Sequence, residues 1–217
     1  MGRLRFRLPA IEASLAAFCA AFPAINEKLA MRRELPTADM LSSIVEAYDY
    51  VNTLLEKDTP LFDRRELHHL LELNHIVLCG RDPAARQAVW SHLAETRKSF
   101  SARIRPIEDF VRRDMNGKKP YRTATGFYTR MLSRPQLFLE GNHRTGNIVL
   151  NYLLAVNGGK PYIVDPDSAV GYLDISGRIK FTEKHKGFET AFMMPGHARD
   201  FRDFLKEHGT RDWLEET

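Results

Sequence analysis

The chain has 217 residues and a mass of 25.0 kDa, enough for a sizeable core without disulfide or metal support. Apolar residues at 43% and charged residues at 28% exclude a mainly disordered or fibrous protein. Lys and Arg number 32 against 28 Asp and Glu, a net charge of +4 that is too small to argue for nucleic acid but leaves a phosphate-bearing ligand open. Cys19 and Cys79 show no C-x-x-C and no nearby His at metal-site spacing, so neither a disulfide framework nor a zinc knuckle is indicated, and a reducing cytoplasm is the expected compartment.

Arg3, Arg5 and Arg7 alternate with Leu4, Phe6 and Leu8, as in a strand, an arm or a solvated segment. The apolar stretch 8–25 behind them has the outline of a secretory signal. Glu12 interrupts it, and Ile11, Leu15, Phe18 and Phe22 fall on one face of an amphipathic helix. No other stretch approaches the roughly 18 apolar residues of a membrane span, so a soluble chain is expected. Residues 40–56 carry one apolar helical stripe that the segment 57–60 ends. Asp63 can cap a helix over 64–79 with Gly80 as its stop, and Asp82 with Pro83 opens another to about Ser99. Residues 103–106 read as a short extended piece, 107–115 as a helix and 116–120 as a loop. Residues 127–132 are helical, Arg134-Pro135 is a break, and a long helix over 142–156 ends at Asn157-Gly158-Gly159. After Pro161 the segments 172–175 and 178–181 around Ser176-Gly177 predict a β-hairpin, and Pro195-Gly196 precedes a terminal helix over 197–207. The expected fold is mainly α, with N-terminal helices over 1–60, a core over 61–162 and a C-terminal hairpin and helix over 163–217.

The common cofactor and hydrolase fingerprints, G-x-x-x-x-G-K-[ST], G-x-G-x-x-G, H-E-x-x-H and G-x-S-x-G, are absent. The informative stretch is 136–147, Gln-Leu-Phe-Leu-Glu-Gly-Asn-His-Arg-Thr-Gly-Asn, which feeds the apolar helix behind it. A Gly/Asn loop at a helix start leaves backbone N–H groups and the positive end of the dipole for an anion. Arg144 can bridge two phosphate oxygens, and Glu140 can hold a magnesium ion. The plainer alternative is an ordinary helix start with Glu140 and Arg144 paired at i, i+4.

The order of these residues resembles the Fic/Doc (Fido) signature H-P-F-x-[DE]-G-N-G-R-x-x-R at Phe138, Glu140, Gly141, Asn142 and Arg144. Leu150, Asn151, Leu154, Gly158 or Gly159 and Pro161 look like the helix and exit that follow it. Residues 66–80 look like the family's first core helix, and residues near 99–106 stand where a β-hairpin flap would dock a target protein. The resemblance implies a Fic-like helical fold and transfer of AMP, or another phosphate-containing group, from an ATP-type nucleotide with Mg2+ to a protein hydroxyl. It assigns magnesium to Glu140 and phosphate to Gly141, Asn142 and Arg144.

Three departures fall on the chemistry. Gln136 stands where the family has its general base, and a neutral amide takes no proton near pH 7. Asn147 replaces the second phosphate-gripping arginine. His143 replaces glycine, where it offers a phosphate contact or a substitute base. The expectation is therefore a nucleotide-binding relative that is weakly active or inactive. Its alternatives are an active transferase with a non-standard base and an interaction protein that keeps the fold without nucleotide. Ser42-Ser43-Ile-Val45-Glu46-Ala47 resembles the family's inhibitory helix motif, with Ser42 and Glu46 as its regulatory residues, or is a plain amphipathic helix. His68, Glu72 and His75 share a helical face that suits a metal or simply solvent. Nucleic acid and membrane are not expected as partners.

Overall fold

The computed structural model describes residues 4–115, 119–184, 186–187 and 192–216. The protein is mainly α-helical, with one two-stranded antiparallel sheet made by the two ends of the chain. Strand β1 (Leu4–Phe6) pairs with β2 (Leu214–Glu216), Phe6 opposite Leu214. The alternation of Arg5 and Arg7 with apolar residues thus becomes a strand that buries Phe6, whose N–H and C=O bond the Asn52 amide at 2.7 and 3.0 Å.

Helix α1 (Leu8–Lys28) follows, the one described helix long and apolar enough to cross a membrane, with mean hydropathy 1.7 over its most apolar window. It buries Ile11, Leu15, Phe22 and Ile25 against the core, with Phe18 at the margin, as its spacing predicts. Helix α2 (Ala38–Glu56), capped by the Thr37 hydroxyl, lays Ala47, Tyr48, Val51, Leu54 and Leu55 inward. Helix α3 is shorter than its expected span, His68–Cys79, because Asp63 turns back to accept from the Arg65 N–H instead of capping a helix. Asp82 does cap α4 (Pro83–Ala88), accepting from Ala84 and Ala85.

Helix α5 (Trp90–Met115) corrects the sequence reading at 99–106. That stretch is helical and forms neither an extended piece nor a β-hairpin flap. Pro106 costs a backbone hydrogen bond inside the helix, but Phe100, Ile104, Ile107 and Val111 bury one continuous stripe, and tertiary packing outweighs the local penalty. Helix α6 (Pro120–Leu132) starts at a proline in its first turn, and Asn116 to Lys118 of the expected loop lie outside the described residues. Helix α7 (Asn142–Val156) is nearly all buried.

The expected hairpin over 172–181 is also corrected, because this segment forms helix α8 (Ala169–Phe181). Ala169, Tyr172, Leu173, Ser176 and Ile179 are buried at spacings of three and four, so the helical period wins over a brief β-like alternation. Helix α9 (Met194–His208) places Phe201, Phe204 and Leu205 on α6 and α8. One apolar core runs from Phe6 to Leu205 through all three expected segments.

Candidate functional site at the start of helix α7

The segment 133–141 joins α6 to α7, and its shape is set from inside. Gly141 has φ of 72°, and a Cβ there would stand 2.9 Å from Asn74 Nδ2, so a residue without a side chain is required. Asn142 closes the loop on itself. Its Oδ1 accepts from Phe138 N–H and its Nδ2 donates to Phe138 O, each at 2.9 Å and buried. Asn74 on α3 ties the other side, its Nδ2 donating to Glu140 O at 3.0 Å and to Thr145 Oγ1 at 3.1 Å. Phe138 stacks on Phe100 of α5 with ring centroids 5.6 Å apart.

What this scaffold leaves uncapped is the helix start. The first intrahelical donor is Thr145, whose N–H reaches Gly141 O at 2.9 Å, and Gly141 has no side chain to cap the N–H groups of Asn142, His143 and Arg144. The Glu140 carboxylate beside them is 69% exposed, and the nearest ionisable group is His92 of α5, whose Nε2 lies 4.0 Å from Glu140 Oε2. That Nε2 is buried without a hydrogen-bond partner. A free carboxylate beside a helix start suits magnesium, which takes one or two carboxylates and fills its shell with water and phosphate oxygens. Arg144 is half-buried and donates to Val77 O at 2.9 Å, which spends one of its five donors. Burial pulls its guanidinium below the ordinary range, opposed by the Glu140 charge.

The remaining expected site residues serve the interior. Gln136 Nε2 donates to Leu132 O at 3.1 Å and Gln136 O accepts from Arg103 at 2.5 Å. Asn147 accepts from Tyr48 at 3.3 Å and from Asn151 at 3.2 Å, bridging α2 and α7. His143 lines a narrow apolar cavity of about 150 Å³ with Arg144, Asn147, Met40, Leu41 and Ile44. Its Nδ1 lies 3.5 Å from the Tyr128 hydroxyl and its Nε2 is buried with no partner. Burial, then Arg33 and Lys180, push its pKa down to about 3, so it is a neutral imidazole at pH 7, which gives phosphate no charge and is too weak a base for proton abstraction near neutral pH.

This neutral imidazole has a measurable consequence. Its folded pKa lies below the unfolded value near 6.5, so the unfolded chain takes the proton first and stability falls as pH drops from about 6.5 towards 3. By pH 4 this group alone is expected to cost roughly 3 kcal/mol. Urea unfolding at pH 7 and pH 4 should show a smaller acid loss in His143→Leu than in the parent, and equal losses would refute the assignment.

Glu46 does not reach Asn147. Its Oε2 accepts from Arg81 N–H at 3.0 Å and its backbone O from the Arg81 guanidinium at 3.1 Å, beside Gly80 at the end of α3, while Ser42 is exposed. Glu72 is held by Arg86 at 2.7 Å, which breaks up the expected His68, Glu72, His75 set. The ligand atoms of Glu66, His68 and His69 instead lie within 4.8 Å of one another.

Two residues of the site escape sequence reasoning. His92 stands at no informative spacing from Glu140, and nothing in the sequence connects them. Asn74 did leave a signal, as a lone amide within the inward stripe Leu70, Leu71, Leu73, Ile76 and Val77, where burial demands hydrogen-bond partners. Comparison of the chain with family models, with curated proteins and with solved structures finds no match.

Proposed function

We propose that this chain is a Fic-like protein that binds the phosphates of an ATP-type nucleotide at the start of α7 and lacks the base for efficient AMP transfer. The observation that carries the reading is the helix start itself, left without a side-chain cap and flanked by the exposed Glu140 and by Arg144. Backbone N–H groups of Asn142 to Arg144 would receive phosphate oxygens, and Arg144 has donors to spare beyond the one on Val77. Glu140 would hold magnesium, which would supply positive charge to neutralise the phosphates. Gln136, an amide tied to Leu132, orients nothing that can take a proton from an attacking hydroxyl.

A thermal melt tests binding. ATP with magnesium at about a hundredfold excess over Kd should raise Tm by roughly 5 °C or more, through linkage near 2.7 kcal/mol. Arg144→Ala should remove most of that rise, and no rise in the parent with any nucleotide would refute the reading. The second reading, an active transferase, is favoured by one observation, the unpartnered His92 Nε2 beside Glu140. It places the missing base on α5, and labelling by ATP that is lost in His92→Asn would establish it.

A further inference from the structure

A cavity of about 680 Å³ opens between α5, α6 and the first turns of α9, sharing only Pro135 with the segment 134–147. Arg103, Arg122, Arg130, Lys184, Arg199 and Arg202 line it, and among the described residues no Asp or Glu does. Arg122 is paired with Asp114 at 3.0 Å and Arg202 with Asp203 at 3.5 Å. Among the described residues, Arg103, Arg130 and Arg199 have no carboxylate within 4.0 Å.

Main-chain carbonyls aim these cations. Arg103 donates to Gln136 O at 2.5 Å, Arg130 to Gly126 O at 3.0 Å, and Lys184 Nζ to Pro135 O at 2.8 Å. A carbonyl dipole fixes the direction of Arg103 and Arg130 without cancelling their charge, and each guanidinium keeps further N–H donors. Gly126 makes the arrangement possible. A Cβ there would stand 2.3 Å from Phe110 Cζ, so its absence lets the Phe110 ring lie against α6 with the Arg130 guanidinium 3.6 Å from the ring centroid. Met194 and Pro195 bring the start of α9, with the positive end of its dipole, to the same cavity. The crowding registers in the groups themselves. Burial, then Arg103 and Arg130, push Lys184 down to about 8, and burial lowers Arg130 despite the pull of Asp114.

We propose that this cavity binds a compact polyanion, a small molecule with at least two adjacent phosphate groups, clamped by Arg103, Arg130, Arg199 and Arg202, with Phe110 and Ile107 as an apolar wall for its uncharged part. An anion of this kind supplies the negative charge that the described lining residues lack, and forked guanidinium groups match its oxygens. The site is separate from the start of α7 and does not rest on the reading of that loop.

The test is isothermal titration of the full chain with inorganic triphosphate, without magnesium and at about 0.15 M salt, where diffuse attraction is screened. In the Arg144→Ala background, where the start of α7 is disabled, saturable binding of one ligand per chain is expected, weakened about tenfold or more by adding Arg199→Glu and Arg202→Glu. Both reversed residues lie towards solvent, and circular dichroism checks that the helices survive. Absence of saturation, or an affinity that the reversals do not move, overturns the proposal. Loss in Arg144→Ala instead would put the ligand at α7, overturning this site while supporting the other. A parallel titration with ATP separates the ligand sources. Tighter binding of ATP than of triphosphate assigns a nucleoside to the apolar wall, and equal binding assigns the phosphates alone, each supporting the site.

Discussion

Asn151→Leu is expected to lower the free energy of unfolding by about 2–4 kcal/mol, a large share of the roughly 5–15 kcal/mol that holds a domain of this kind together. Asn151 is fully buried, and its amide is the junction of three parts of the chain. Nδ2 donates to the Tyr48 hydroxyl at 2.7 Å on α2, to Tyr162 O at 2.8 Å after α7 and to Asn147 Oδ1 at 3.2 Å, while Oδ1 accepts from Tyr162 N–H at 2.8 Å. Leucine has nearly the same shape, so the loss comes from the partners: Tyr162 N–H is left facing an apolar side chain, while Tyr48 and Tyr162 O keep only their longer bonds with Asn147, at 3.3 and 3.5 Å. Each buried group without a partner costs about 1–3 kcal/mol. Urea denaturation with the m-value monitored checks the figure, and a loss below about 1 kcal/mol would mean that the network relaxes freely. The binding reading depends on this junction, because it sets how α2 lies along α7.

The helices that bury a continuous stripe were legible in the sequence, and the reason is one of period. The segments of α1, α2 and α7 repeat apolar residues at three and four over many turns, and no other structure buries such a set. In the segments 99–106 and 172–181 a local signal, Pro106 in one and Ser176-Gly177 in the other, competes with a stripe that is only partly visible in a short window. In both cases burial of neighbours far along the chain decided the outcome. The candidate site was legible in its backbone-forming residues. Gly141 and Asn142 are read from local chemistry, and they do shape the loop. Its long-range part was not legible. That Asn147 answers to Tyr48, that Glu46 answers to Arg81 and that His92 stands beside Glu140 all depend on packing between helices, which spacing along one helix does not contain.

That distinction shapes the restoration experiment. Matching the family signature suggests changing both departures, Gln136→His and Asn147→Arg. The second would dismantle a working bridge, since Asn147 bonds Tyr48 and Asn151 in the same network that Asn151→Leu destroys. Gln136→His alone meets a prepared position. Leu132 O now accepts from Gln136 Nε2 at 3.1 Å, and it would accept Nδ1–H of the new imidazole. That bond holds the tautomer with Nε2 unprotonated, the form a general base needs. With labelled ATP and magnesium, Gln136→His is expected to raise transfer to itself or to a lysate protein by about 10²-fold or more over the parent, the usual contribution of a positioned base. Glu140→Ala in the same background should abolish the gain if, as proposed, Glu140 holds the magnesium. A parent that already labels strongly, gains little from Gln136→His and falls silent in His92→Asn would move the base to α5. A Gln136→His protein that binds ATP and transfers nothing would mean that position 136 does not look onto the phosphates, and the start of α7 would then be a binding site alone.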